Sequence, residues 1–182
     1  EVYLHLNSPN RMKVNDKQKF KARLVLGEPL AMAIDDAAQS GGLLILGGRQ
    51  NTIQMAAADT LHHWGVLERV GRIKNAAWPK YKIDSWLFMA LGAIIKACSN
   101  LKEKRLIEVL TANPPSILHG QIKAVIGFGK PHARNMPPKM AELIVSHYNH
   151  RLSHNKLEPK WSRVDDLCIE RPYNDRWGWY IK

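Results

Sequence analysis

Three imidazoles are the first residues in this chain whose spacing suggests chemistry. His147, His150 and His154 stand three and four residues apart, so one face of a helix carries all of them. Neutral imidazoles at that spacing bind zinc, and Asp165, Asp166 and Cys168 follow closely enough to add a ligand. Arg151 sits among them, however, and no Cys-x-x-Cys or His-Glu-x-x-His framework supports a metal centre. A hydrated or phosphate-facing histidine surface is the better reading, with a metal-dependent nuclease as an alternative. Nucleophilic catalysis has less behind it. No serine lies in a nucleophile elbow, and neither Cys98 nor Cys168 has a sequence neighbourhood that would activate a thiol. Gly41-Gly42-Leu43-Leu44-Ile45-Leu46-Gly47-Gly48 superficially resembles a nucleotide-binding strand and turn, but its glycine spacing is wrong. The expectation is a protein that is not an enzyme and uses no metal or cofactor.

Cations interleaved with aromatics carry more weight. Arg69, Arg72, Lys74, Lys80 and Lys82 crowd around Trp78 and Tyr81. Cations neutralise phosphates and release counterions, while aromatic rings stack on bases or fill a groove. Lys17, Lys19, Lys21 and Arg23, preceded by Arg11 and Lys13, suit an arm that tracks a phosphate backbone. Lys130 and Arg134 follow Gly127 and Gly129, which permit close approach of the backbone to a phosphate. Each group also has a plainer reading: a solvated hairpin with its aromatics inside, a polar helix face, a connecting loop.

The charge balance points the same way. A net charge of +11 draws the chain towards polyanions, an argument about partners and not about fold. Residues 1–23 carry +4, residues 24–68 carry −4, and residues 69–182 carry +11, so an apolar, mildly acidic block is framed by basic sequence. No apolar run approaches the roughly 20 residues needed to span a bilayer. The chain opens at Glu1 without methionine, as a fragment or trimmed product would, and shows no signal-peptide architecture. Cys98 and Cys168, far apart in apolar surroundings, read as small buried hydrophobes of a reducing compartment.

The elements that must position these groups follow from periodicity and breakers. Residues 1–16 read as an arm. Apolar positions from Lys17 to Ala38 predict two helices broken at Gly27-Glu28-Pro29, with Pro29 in the first turn of the second. Leu43 to Leu46 suits a buried strand or a helical turn. Ile53, Ala57, Leu61 and Trp64 line one face of a helix capped by Asn51 or Thr52 and stopped at Gly65. Val66 to Ile73 alternates as a strand, Asn75 to Pro79 turns, and Lys80 to Ile83 returns. Apolar faces then predict helices over Ser85 to Cys98, Leu101 to Ala112, Ile117 to Ile126 and Lys139 to Ser153. Leu167 to Glu170 and Trp177 to Ile181 flank a turn at Pro172-Tyr173-Asn174-Asp175 and read as a second hairpin.

Residues 43–83 resemble the winged helix-turn-helix superfamily. The resemblance rests on the Ile53–Trp64 helix, Gly65, Val66-Leu67-Glu68-Arg69-Val70 as first wing strand and Tyr81-Lys82-Ile83 as second. It implies a helix before the wing that enters the major groove. That helix offers Gln54, Met55, Ala58, Asp59 and His62 outwards, a face thin in groups that read bases. Tandem winged helices in plasmid and phage replication initiators are the analogy for the whole chain.

The expected fold is therefore mainly α with short β-hairpins. A winged-helix-like module over 17–84 follows the arm at 1–16, and a second helical module with a C-terminal β-hairpin covers 85–182. The expected function is nucleic-acid binding, with DNA favoured over RNA, as in a replication initiator or regulator of a mobile element. An RNA-binding structural subunit of a ribonucleoprotein or viral particle is the alternative from another class. No membrane is expected as a partner; a homo-oligomer or larger assembly fits the acidic apolar block, and the location expected is cytoplasmic or nucleoid-associated.

Overall fold

Breakers cut the chain into eight helices among the described residues, which are 16–46, 50–126, 136–159, 161–163 and 179–181 of a computed structural model. Helix α1 spans Asp16–Val25 and α2 spans Pro29–Ser40, so the break falls at the expected glycine and proline. Helix α3 spans Met55–His63 and α4 spans Leu67–Ala77. Gly65, at φ 70°, takes the left-handed conformation that lets the chain turn sharply between them. Helix α5 spans Ser85–Ala97 and is capped by Asp84, whose carboxylate accepts from the Leu87 amide at 3.0 Å. Helices α6 (Glu103–Ala112), α7 (Pro115–Ile126) and α8 (Met136–Asn149) complete the helical part.

A helix that is apolar on every side must be surrounded. Helix α5 is such a helix: every residue from Leu87 to Ile95 is buried, and α3, α4 and α8 pack around it. Helix α4 in turn packs against α2 and α6, and α8 against α6 and α7. The C-terminal end of α2 meets α4 almost backbone to backbone, since a Cβ added at Gly71 would stand 2.4 Å from the Gly41 carbonyl oxygen. One hydrophobic cluster extends from Phe20 to Leu157. Asp84, where two modules were expected to divide, caps the helix that contacts elements on both sides of it.

The winged-helix expectation is overturned. The segment expected as first wing strand, Val66 to Ile73, lies largely in α4, and Lys80 to Ile83, expected to return as the second strand, form no strand. The reason is visible in the burial. Leu67, Val70, Ile73, Lys74 and Ala77 go inward at three- and four-residue steps, while Glu68 and Arg72 lie outside, one turn apart. A strand through the same residues would mix apolar and charged side chains on both faces. The expected caps Asn51 and Thr52 are not at the helix start either: α3 begins after Gln54, and Thr52 forms an isolated parallel bridge with Leu44.

The expected C-terminal hairpin is likewise not shown. Strands β1 (Trp161–Arg163) and β2 (Trp179–Ile181) are three residues each and pair antiparallel, Ser162 opposite Tyr180. The strand at Leu167 to Glu170 and the turn at 172–175 lie outside the described residues, as do residues 1–15 of the arm; of the basic loop expected over Gly127 to Pro138, residues 127–135 lie outside them and 136–138 begin α8. The fold described is helical, and short hairpins do not define it.

Candidate nucleic-acid interface

Ten of the twelve residues expected to meet nucleic acid lie among the described residues and separate into three groups. Lys74 and Trp78 belong to the interior. Trp78 is 1% exposed and its indole Nε1 donates to the Leu110 carbonyl at 2.7 Å. Lys74 is fully buried, and its ammonium donates to Asn51 Oδ1 at 2.7 Å, Asn75 Oδ1 at 3.2 Å and the Gln50 carbonyl at 3.3 Å. Burial pushes its pKa below the ordinary lysine value. Neither side chain can reach a phosphate or a base.

The second group is already paired with carboxylates. Arg69 donates from Nε to Glu103 at 2.8 Å and joins α4 to α6. Arg72 bonds Glu68 at 2.6 Å, one helical turn away. Arg23 clasps Glu28 across the break between α1 and α2, a hydrogen bond that holds the Glu28 carboxyl below its ordinary range. Half-exposed pairs of this kind neutralise locally, so these arginines add little to the positive field.

The third group is exposed. Lys17, Lys19 and Lys21 are on α1, and Lys80 and Lys82 are in the segment between α4 and α5. Phe20 is the buried residue of that turn, so helical spacing puts Lys17 and Lys21 on one flank of α1 and Lys19 with Arg23 on the other. Lys17 and Lys82 line one cleft of about 500 Å³. Tyr81, between the two loop lysines, is 46% exposed and offers a ring to solvent. Lys130 and Arg134 lie outside the described residues.

That cleft is the concave feature the sequence reasoning missed. Its walls are Lys17 from α1, Thr52 and Gln54 leading into α3, and Lys82, Asp84 and Ser85 leading into α5. Ile53, Ile83 and Phe88, all buried, supply an apolar floor. Two helices therefore begin at one cleft, and helix starts carry partial positive charge. No side chain caps α3, whereas Asp84 caps α5. Asp84, the acidic residue of the lining, also meets His119 Nε2 at 3.3 Å on its second carboxylate oxygen. The side-chain oxygens of Thr52 and Ser85 are buried and have no hydrogen-bond partner among the described residues. The only sequence signal for this grouping was the helix starts themselves, read one segment at a time.

The face expected to read bases is largely enclosed. Ala58 is buried, Met55, Asp59 and His62 are half-buried, and Gln54 alone of the five is exposed. Helix α4, the next candidate, is held between α2, α5 and α6.

The histidines do not converge. His147 Nε2 bonds Gln121 at 2.9 Å, His150 follows the end of α8, and His154 contacts Ser153 Oγ at 2.8 Å beyond Arg151, whose φ is 60°. Among the described residues no group of three His, Cys, Asp or Glu side chains is placed to hold a metal ion. Cys98 is buried, and desolvation pushes its thiol pKa up to about 11. Among the described residues no helix is long and apolar enough to cross a membrane.

No protein-family model matches the chain, and neither a curated protein nor a solved structure matches it.

Proposed function

We propose that this chain binds nucleic acid through its phosphates, at the face formed by Lys17 and Lys21 of α1 with Lys80, Tyr81 and Lys82. The observation that carries the reading is the meeting of Lys17 and Lys82 on one cleft at the starts of two helices. Cations so placed neutralise phosphates without reading sequence, and association weakens steeply with salt. Tyr81 adds a stacking surface, which suits a strand whose base faces are open. The sequence reading favoured DNA because a wing and an inserted helix suit a duplex. With the wing gone, α3 largely enclosed and α4 held among its neighbours, the preference moves to single strands, DNA or RNA.

Fluorescence-anisotropy titrations with single-stranded DNA, single-stranded RNA and duplex DNA of mixed sequence test this reading. Binding to single strands that is indifferent to sequence, tighter than to duplex, supports it. A clear preference for one duplex sequence, or no binding to any of the three, refutes it.

A further inference from the structure

We infer that the corner between α1 and α2 is a dimer interface, where a second copy of this chain docks with its α1 over α2 of the first. The inference goes beyond the nucleic-acid reading and does not rest on it.

The corner leaves an apolar surface in water. Val25 is 78% exposed, Leu26 73%, Leu30 49% and Met32 47%, so half of the eight large exposed hydrophobics among the described residues fall within eight consecutive positions. Gly27, at φ 68°, turns the chain sharply there, and the Gly27 and Glu28 amides donate back to the Leu24 and Arg23 carbonyls. Helix α2 continues the surface: Pro29 and Ala33 lie exposed beside Leu30 and Met32, and of its seven exposed residues Asp36 alone is charged. A helix whose outer side faces water ordinarily carries more charge than that. A contiguous apolar patch of this kind marks an interaction surface.

The charges that border the patch select a second copy as its occupant. Helix α1 carries Lys17, Lys19, Lys21 and Arg23 against Asp16, whereas α2 carries Asp35 and Asp36 and no cation. A basic helix on one side of an apolar corner and an acidic helix on the other make a self-complementary surface. A two-fold axis running between the two helices lays α1 of each copy over α2 of its partner. The spacing suits that pairing. Lys19 stands six residues before Val25 and Asp36 six after Leu30, so at about 1.5 Å per residue both lie about 9 Å from the corner. Arg23 is already held by Glu28, whereas Lys19 and Asp36 make no ion pair among the described residues. Each Lys19 therefore meets the partner's Asp36 at the rim, around a centre formed by Val25, Leu26 and Leu30. Lys17 and Lys21 are on the opposite flank of α1, so the dimer keeps two basic faces open.

The test is sedimentation velocity of the full chain, free of nucleic acid, from about 1 μM to about 1 mM. The wild type should pass from monomer to dimer as concentration rises and stop there. The double variant Leu26→Ser/Leu30→Ser, changed only at exposed positions, should raise the dissociation constant by at least about tenfold. Lys19→Glu and Asp36→Lys should each weaken the dimer as well, since each sets like charges opposite one another twice. Mixing these two variants should restore association as a heterodimer, because both rim contacts then join opposite charges. Local disturbance of a helix would weaken the single variants but would not be repaired by mixing. Should the leucine variant fail to fold, the charge exchange alone decides. A chain that stays monomeric throughout, or that grows past the dimer, overturns the inference. So does a dimer indifferent to the leucine changes, or a mixture that associates no better than its components.

Discussion

Replacing Lys74 asks whether a residue that the sequence reads as a phosphate contact is instead a structural anchor. Its ammonium is fully buried and bonds three neutral oxygens, two of them on the Gln50-Asn51 segment that leads to α3. Lys74→Met keeps the stem and removes the donor. Orphaning a buried acceptor costs about 1–3 kcal/mol, but Gln50 is exposed and Asn51 and Asn75 are half-buried, so water recovers part of this. Removing a charge that burial disfavours offsets a further part, so the costs of the three orphaned acceptors do not add in full. The balance expected is a loss of about 1–2 kcal/mol for Lys74→Met, and of about 3–5 kcal/mol for Lys74→Ala, which also empties the stem's volume. For a chain of this size each kcal/mol lowers the melting temperature by about 2–4 °C. Urea unfolding of the three proteins at pH 7 measures these differences.

The pH dependence supplies an independent sign. The folded pKa of Lys74 lies below the ordinary lysine value, so between the two the unfolded chain holds more protons than the folded one. Stability contributed by this residue therefore rises with pH through that window. The desolvation penalty is fully present below the folded pKa and gone above about pH 10.4. The stability gap between wild type and Lys74→Met should widen as pH rises through the alkaline range. Equal stability at pH 7, or a gap that narrows with pH, would refute the reasoning. Lys74→Met should leave oligonucleotide affinity unchanged.

Other consequences follow from packing and pairing. Gly71→Ala places a Cβ 2.4 Å from the Gly41 carbonyl oxygen and should cost about 1–3 kcal/mol in urea unfolding, by forcing α2 off α4. A double-mutant cycle over Arg69 and Glu103, whose side chains are 40% and 38% exposed, should return a coupling of about 0.2–1 kcal/mol that fades with salt. Iodoacetamide at pH 8 should leave the Cys98 peptide unmodified in the native protein and alkylate it in urea, because the buried thiol, pushed up to about 11, is protonated there.

How far the fold could be read depended on which residues marked the boundaries. Gly27-Glu28-Pro29 separates α1 from α2 because proline lacks the amide that a helix interior needs, and that signal is local. Helix α5 was equally plain: a run apolar all round, begun by Asp84, has only a buried helix to be. Helix α4 was misread because the run from Val66 to Ile73, behind a glycine stop, was given a strand's alternation that its charges do not keep. The helical pattern Leu67, Val70, Ile73, Lys74, Ala77 becomes convincing only if a lysine is allowed inside, and three oxygens from other residues allow it.

The site was less legible for a related reason. Lys17 and Lys82 were named for their charge, but their meeting depends on α1 lying across the starts of α3 and α5. Thr52 and Ser85 carry no mark in sequence that sets them apart from ordinary helix-start residues. Trp78 was assigned to nucleic acid for its place among basic residues, whereas its indole is spent on the Leu110 carbonyl.

The most direct test of the central claim is the salt dependence of single-strand binding by the wild type and by the Lys17→Ala/Lys82→Ala double variant. Each phosphate contact on a single strand contributes about 0.7 to the slope of log affinity against log salt. The double variant should bind more weakly at low salt, with a slope shallower by about 1.4. An unchanged affinity and slope would contradict the claim that this face meets the phosphates.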